Sequence, residues 1–265
     1  MAAAGSGGVR WTGTVLYPAA LVAVFLGCQV LGGLVGIPPE QRAAAAALPA
    51  VLALALSLPL RIRHQWGEPR PWQTLGVRGP AAAVLKALVR GLIKAVLLLA
   101  LVLAGLGLAG QIQWQPQLSP GLLLNALALG LGVGFAEELL FRGWLLGELQ
   151  RHLGARGGLT AQAVVFSLVH TRFNLPLLQL LGLLGGLLLL GLALGLQRRA
   201  DGGLLWGAVG LHGGLVAGWF VLHTGLVQIG ADAPAWMMGP ANPIGGALGW
   251  LGLALLLWQR RRWWP

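Results

Sequence analysis

Charge is scarce in this chain. Only 9% of its 265 residues are Asp, Glu, Lys or Arg, and just seven are acidic. A soluble domain carries about a quarter. So little charge excludes a water-solvated globule, and no stretch reads as a separate soluble domain. One cysteine, Cys28, excludes an internal disulfide. No internal repeat of useful length is present, which argues against a transporter built from inverted halves. The shortage of acids leaves a net charge of +11. The basic residues are nonetheless scattered among loops and form no single stripe, so nucleic acid is not an expected partner.

Apolar sequence fills the space. Hydrophobic residues make up 57% of the chain, mean hydropathy is +0.77, and there are 43 glycines, which suit close helix contacts in lipid. The expected fold is all-α: a polytopic membrane protein of about eight transmembrane helices, each of roughly 20 residues, enclosing an intramembrane site. The apolar runs place helices over residues 14–35, 43–60, 91–110, 122–150, 159–173, 175–196, 204–229 and 244–258. The run Phe25-Leu26-Gly27-Cys28 has a trace of a lipoprotein processing site, but the first apolar segment is long enough to remain as an uncleaved anchor.

Basic and neutral loops alternate. Arg61, Arg63, Arg70, Arg78, Lys86 and Arg90 crowd the second connection, whereas residues 111–120 are uncharged and residues 230–243 carry only Asp232. Arg151 and Arg156, Arg198 and Arg199, and Arg260, Arg261 and Arg262 mark the later basic turns and the C-terminal end. Excess positive charge favours the cytoplasmic side, which puts both termini there, with Arg42 and Arg172 as exceptions. The segment 61–90 reads as a cytoplasmic loop with a surface-lying helical stretch near residues 80–90, and a substrate-guiding arm is the functional alternative. Arg260, Arg261 and Arg262 with Trp263 and Trp264 form an interfacial anchor. Three regions follow: residues 1–120 with the first helices and the basic loop, 121–225 as the core, and 226–265 with the last helix and its anchor.

Ionisable groups at membrane depth are costly and point to function. Three polar elements recur in the second half: Glu137-Glu138-Leu139-Leu140-Phe141-Arg142, Phe166-Ser167-Leu168-Val169-His170, and His212. On a helix Glu138 and Arg142 lie one turn apart and can pair, which leaves Glu137 without a local counter-ion and suited to general-base work. From Glu137 to Gln150 a helix climbs ~20 Å, and from Gly158 to His170 it descends ~18 Å. With a turn over residues 152–157, and with His212 ~14 Å along its own helix, all three groups reach one layer. Bland roles compete: a structural ion pair for the first motif, and helix-bridging hydrogen bonds for each histidine. His64 and His152 read as surface residues, and His223, ~16 Å beyond His212, as outside the site. The run Gly130-Leu131-Gly132-Val133-Gly134 follows no strand and is not a nucleotide loop.

These motifs resemble the CPBP family of intramembrane proteases, which comprises CAAX prenyl proteases, bacteriocin-processing enzymes and immunity (Abi) proteins. The likeness spans roughly residues 122–220 and includes Phe141-Arg142-Gly143-Trp144-Leu145, residues 163–170, residues 191–196 and Gly210-Leu211-His212. It implies peptide-bond hydrolysis within the membrane, on a membrane-anchored protein or peptide substrate. Glu137 would be the catalytic carboxylate, His170 would help it activate water, and His212 would stabilise the oxyanion. Glu138, Arg142 and Phe166 would support them. Many members carry Asn or Asp four residues after the third-motif histidine, and here that residue is Val216. Asn174 is one substitute donor, and a non-catalytic immunity or partner protein is the alternative reading. A proton or solute carrier using Glu137 and His170 as a relay is a third. No cofactor is expected, and zinc on Glu137, His170 and His212 is the alternative.

Overall fold

The computed structural model describes residues 9–230, 233–239 and 242–265, so Asp232 lies outside the described residues. The chain divides into one unit ending at Thr74 and a second beginning at Leu75.

The first unit contains α1 (Trp11–Leu34), α2 (Pro39–Trp66) and the short α3 (Pro71–Thr74). Proline at the first helical position starts α2, where no backbone N–H is needed, and Gly67, at φ 69°, stops it with a left-handed residue. The two long helices are apolar enough to cross a membrane. Their leucines and valines remain largely uncovered, as at Val15, Leu31, Leu52 and Leu56, which suits surfaces solvated by acyl chains. Tyr17 and Ser57 join them by a hydrogen bond of 2.9 Å.

The second unit holds α4 (Ala81–Leu108), α5 (Pro120–Glu138), a π-helical segment (Leu139–Leu145), α6 (Leu146–Leu168), α7 (Leu177–Ala200), α8 (Trp206–Gly225) and α9 (Ala247–Gln259). Ser119 caps α5 by accepting from the Leu122 N–H at 3.2 Å. Inside α6, Gly154 takes φ 73° and ψ 176°, which breaks the helix into two limbs within the expected turn over residues 152–157. With α6 split there, the described residues contain eight substantial helical rods. The protein is therefore an all-α polytopic membrane protein.

Several boundaries differ from the sequence reading. Residues 80–90 form no separate surface helix: they open α4, because Pro80 initiates a helix that nothing then interrupts up to Leu108. The seventh helix stops at Gly225, and Val227–Ile229 instead forms β2, antiparallel to β1 (Ile112–Trp114), with Ile112 opposite Ile229. Alternating Gln and β-prone side chains favour pairing over continued helix in both segments.

Glycine sets the helix spacing. A Cβ at Gly213 of α8 would stand 2.3 Å from the Gly130 carbonyl oxygen of α5, and one at Gly134 would stand 2.7 Å from Gly213 Cα. The two backbones touch where Glu137, Glu138 and His212 must meet. On the other side of α8, a Cβ at Gly210 would lie 2.4 Å from the Leu88 carbonyl oxygen of α4, and one at Gly91 would lie 2.2 Å from that of Gly207. The second limb of α6 rests on α7 through Ala163 against Gly191 and through Ser167 Oγ, which donates to the Leu184 carbonyl at 2.7 Å.

Candidate active site

Glu137 and Glu138 end α5 at the start of the π-helical turn, and their side chains have opposite environments. Glu138 is wholly buried and accepts from Arg142 Nη1 at 2.7 Å and from His212 Nδ1 at 2.9 Å, both through Oε1. Glu137 retains 28% side-chain exposure and aims Oε2 at two imidazoles, 3.4 Å from His170 Nε2 and 3.9 Å from His212 Nε2. The three polar elements singled out in the sequence thus meet within 4 Å of one carboxylate oxygen.

Backbone contacts fix which face each ring presents. His170 Nδ1 lies 2.7 Å from the Phe166 carbonyl, an acceptor only, so Nδ1–H donates and neutral His170 presents a bare Nε2 toward Glu137. His212 Nδ1 donates to Glu138, which turns its Nε2 toward the same place. Phe166 packs among all of them. Its ring is 4.7 Å from that of His170, edge-on to His212 at 5.8 Å and to Phe141 at 5.1 Å, and covered by the Arg142 guanidinium at 4.0 Å. Arg142 Nε and Nη2 find no hydrogen-bond acceptor among the described residues, so one carboxylate oxygen and an aromatic face balance this buried cation.

The π-helical segment carries Arg142. Such a turn leaves a main-chain carbonyl without its helical partner, and Arg198 Nη1, from the end of α7, donates to the Arg142 carbonyl. By its place in the chain Arg198 is only one of the basic residues that mark a turn. Only its neighbour in space, not its spacing in the chain, reveals this second role. Trp144 Nε1 donates to buried Glu148 at 2.9 Å, which ties the π-helical turn to α6.

Glu137, His170 and His212 open on a cavity of about 310 Å³. Leu129, Val133, Leu187, Leu190 and Leu215 give it apolar walls, and Val216 is among its lining residues. Besides Arg172, from the connection after α6, two further polar residues in the lining were not expected there. His223 is one, its Nδ1–H held by the Trp219 carbonyl at 2.8 Å; the cavity extends along α8 far enough to include it. Asn242 is the other, supplied by the connection before α9, where its Oδ1 accepts from the Ile244 N–H at 2.9 Å. That connection sits against α7, since a Cβ at Gly186 would fall 1.9 Å from the Ile244 carbonyl oxygen. Asn174 is exposed in the connection before α7 and does not line the cavity. Among the described residues, no group of three or more His, Cys, Asp or Glu is arranged to hold a metal ion.

Residues 119–218 match the family model described as type II CAAX prenyl endopeptidase Rce1-like. No curated protein and no solved structure matches the chain. The matched stretch includes Glu137, Glu138, Arg142, Phe166, His170, His212 and Val216, and excludes His223 and Asn242. Residues 119–218 of this integral membrane protein, which run from the cap of α5 into α8, are thus similar to the Rce1-like type II CAAX prenyl endopeptidase family.

Proposed function

We propose that the protein is an intramembrane endopeptidase that hydrolyses a peptide bond of a membrane-anchored protein or peptide, with Glu137 as general base. One observation carries this reading. The two adjacent carboxylates are differentiated: Glu138 is consumed by Arg142 and His212, while Glu137 faces a cavity and two imidazole nitrogens.

The reaction follows from the donors and acceptors present. Glu137 Oε2 and the bare Nε2 of His170 are both acceptors, and a water molecule can donate one proton to each. Glu137 takes a proton as the water oxygen attacks the scissile carbonyl carbon. In its doubly protonated form His212 presents Nε2–H to the resulting oxyanion, with Glu138 holding the opposite side of the ring. Glu137 then delivers its proton to the amide nitrogen as the C–N bond breaks, and the proton left on the attacking oxygen passes to His170 Nε2, leaving a carboxylate and an amine. Val216 contributes no donor to the oxyanion. In this reading the NH₂ of Asn242, whose carboxamide oxygen is held by Ile244, takes that part. The leucine-lined walls suit an apolar or lipid-bearing segment of the substrate.

Quenched peptides, prenylated and unprenylated, presented to the protein in proteoliposomes test the proposal. Wild type is expected to cleave, and Glu137→Gln to lose at least about 10³-fold in rate while keeping its melting temperature. A strong chelator is expected to leave the wild-type rate unchanged; a rate abolished by chelation and restored by zinc would transfer the chemistry to a metal. Val216 favours a second reading, a non-catalytic membrane partner. Silence of the folded wild type on every peptide, with Glu137→Gln retaining the biological effect, would select it.

A further inference from the structure

A second polar cluster lies in the same helical unit and takes no part in the chemistry above. It joins α4, the end of α7 and the end of α9. Asp201 accepts from Arg90 Nη2 at 2.5 Å and from Gln197 Nε2 at 2.7 Å. The other end of the Gln197 carboxamide is doubly used: its Oε1 accepts from Lys94 Nζ at 2.5 Å and from Arg260 Nη2 at 3.1 Å. Three cations therefore share one carboxylate, and two of them lean on the same neutral amide oxygen. Burial makes that imbalance costly, because Lys94, Gln197 and Asp201 are each at most 8% exposed. The Nε atoms of Arg90 and Arg260 are buried and lack an acceptor among the described residues.

This cluster adjoins a groove of about 330 Å³ lined by Lys94 and, along its length, by Leu97, Leu101, Gly252, Leu255 and Trp258. The Arg261 guanidinium lies 4.3 Å from the Trp258 ring and adds further positive charge at the same end. Aliphatic walls on one side and an excess of two positive charges on the other are the complement of one kind of molecule.

We infer that the groove between α4 and α9 binds an anionic phospholipid, its phosphate drawn to Lys94 and Arg260 and an acyl chain lying along Leu97, Leu101 and Leu255. The phosphate oxygens supply the acceptors that Gln197 alone cannot, and the chain covers leucines that meet lipid in any case. Trp258 and Arg261 occupy the level where amphipathic rings and cations meet headgroups. The inference is independent of the hydrolytic reading, since none of these residues lines the candidate active site.

The test uses the full chain in phosphatidylcholine bilayers, titrated with phosphatidylglycerol or phosphatidylcholine bearing brominated acyl chains. Trp258 is the reporter, isolated by subtracting the signal of Trp258→Phe. Quenching of the Trp258 signal is expected at about tenfold lower mole fraction of the phosphatidylglycerol. The double variant Lys94→Met with Arg260→Gln is expected to abolish that preference. Should it fail to fold, Arg260→Gln alone is expected to lower it about threefold. Equal quenching by the two headgroups in wild type, or an unchanged preference in Arg260→Gln, overturns the inference. Relief of quenching by soluble glycerol phosphate would also overturn it, in favour of a small-anion site.

Discussion

Two chemically identical neighbours, Glu137 and Glu138, are separated in role by one helical step of about 100°. That rotation puts Glu138 against Arg142 and Glu137 against the cavity. The difference was partly legible in the sequence, since acid and base four residues apart on a helix pair in only one way. The contribution of His212 to Glu138 was not legible, because it depends on the approach of α8. Asn242 was equally hidden: it is far along the chain, beyond the family match, and reaches the cavity only because its connection turns back onto α7. The reading that it replaces a donor missing at Val216 has a direct consequence. Asn242→Ala is expected to lower kcat by about 10²-fold with little change in KM. Adding Val216→Asn to that variant is expected to recover most of the loss, measured on whichever quenched peptide the wild type cleaves. Equal kcat for wild type and Asn242→Ala would remove Asn242 from the chemistry.

At the level of helices, the hydrophobic runs disclosed almost every rod, because a span of apolar sequence leaves the backbone no alternative to helix in lipid. They disclosed ends less well. A run of apolar residues has no marker where lipid gives way to headgroup, so α2 and α4 extend beyond their expected limits and residues 80–90 were misplaced. The π-helical turn and the two short strands escaped as well, since each depends on a partner distant in sequence. Glycine was visible only as abundance, whereas the structure makes particular glycines indispensable. At Gly213 there is no room for even a methyl group between α8 and α5. Gly213→Leu is expected to destabilise the protein by roughly 3 kcal/mol or more and to abolish cleavage, because it pushes His212 away from Glu138. Thermal unfolding in detergent, together with the cleavage assay, checks this. Gly132, whose Cβ would meet nothing within 4 Å, serves as the control and is expected to tolerate Ala.

For the molecule as a whole, alternation of basic and uncharged connections predicts which ends face the cytoplasm. Single cysteines placed at residues 68 and 116, with Cys28 replaced by Ser, are expected to react from opposite sides of intact vesicles with a membrane-impermeant maleimide. Labelling of both from the same side would refute the arrangement.

The close seam between α4 and α8 also bears on heredity and engineering. The family likeness begins at residue 119, yet Gly207 and Gly210, within that likeness, are shaped to receive Gly91 and Leu88, which lie outside it. Similarity and self-sufficiency therefore have different borders here. A fragment cut to residues 119–218 would leave a glycine-lined furrow on α8 with no backbone seated in it, losing the close van der Waals contact that holds helices together in lipid. Whatever α4 looks like in a related chain, it must keep a small residue where α8 crosses. The positions where two backbones touch are the ones at which its sequence has no freedom to add a side chain.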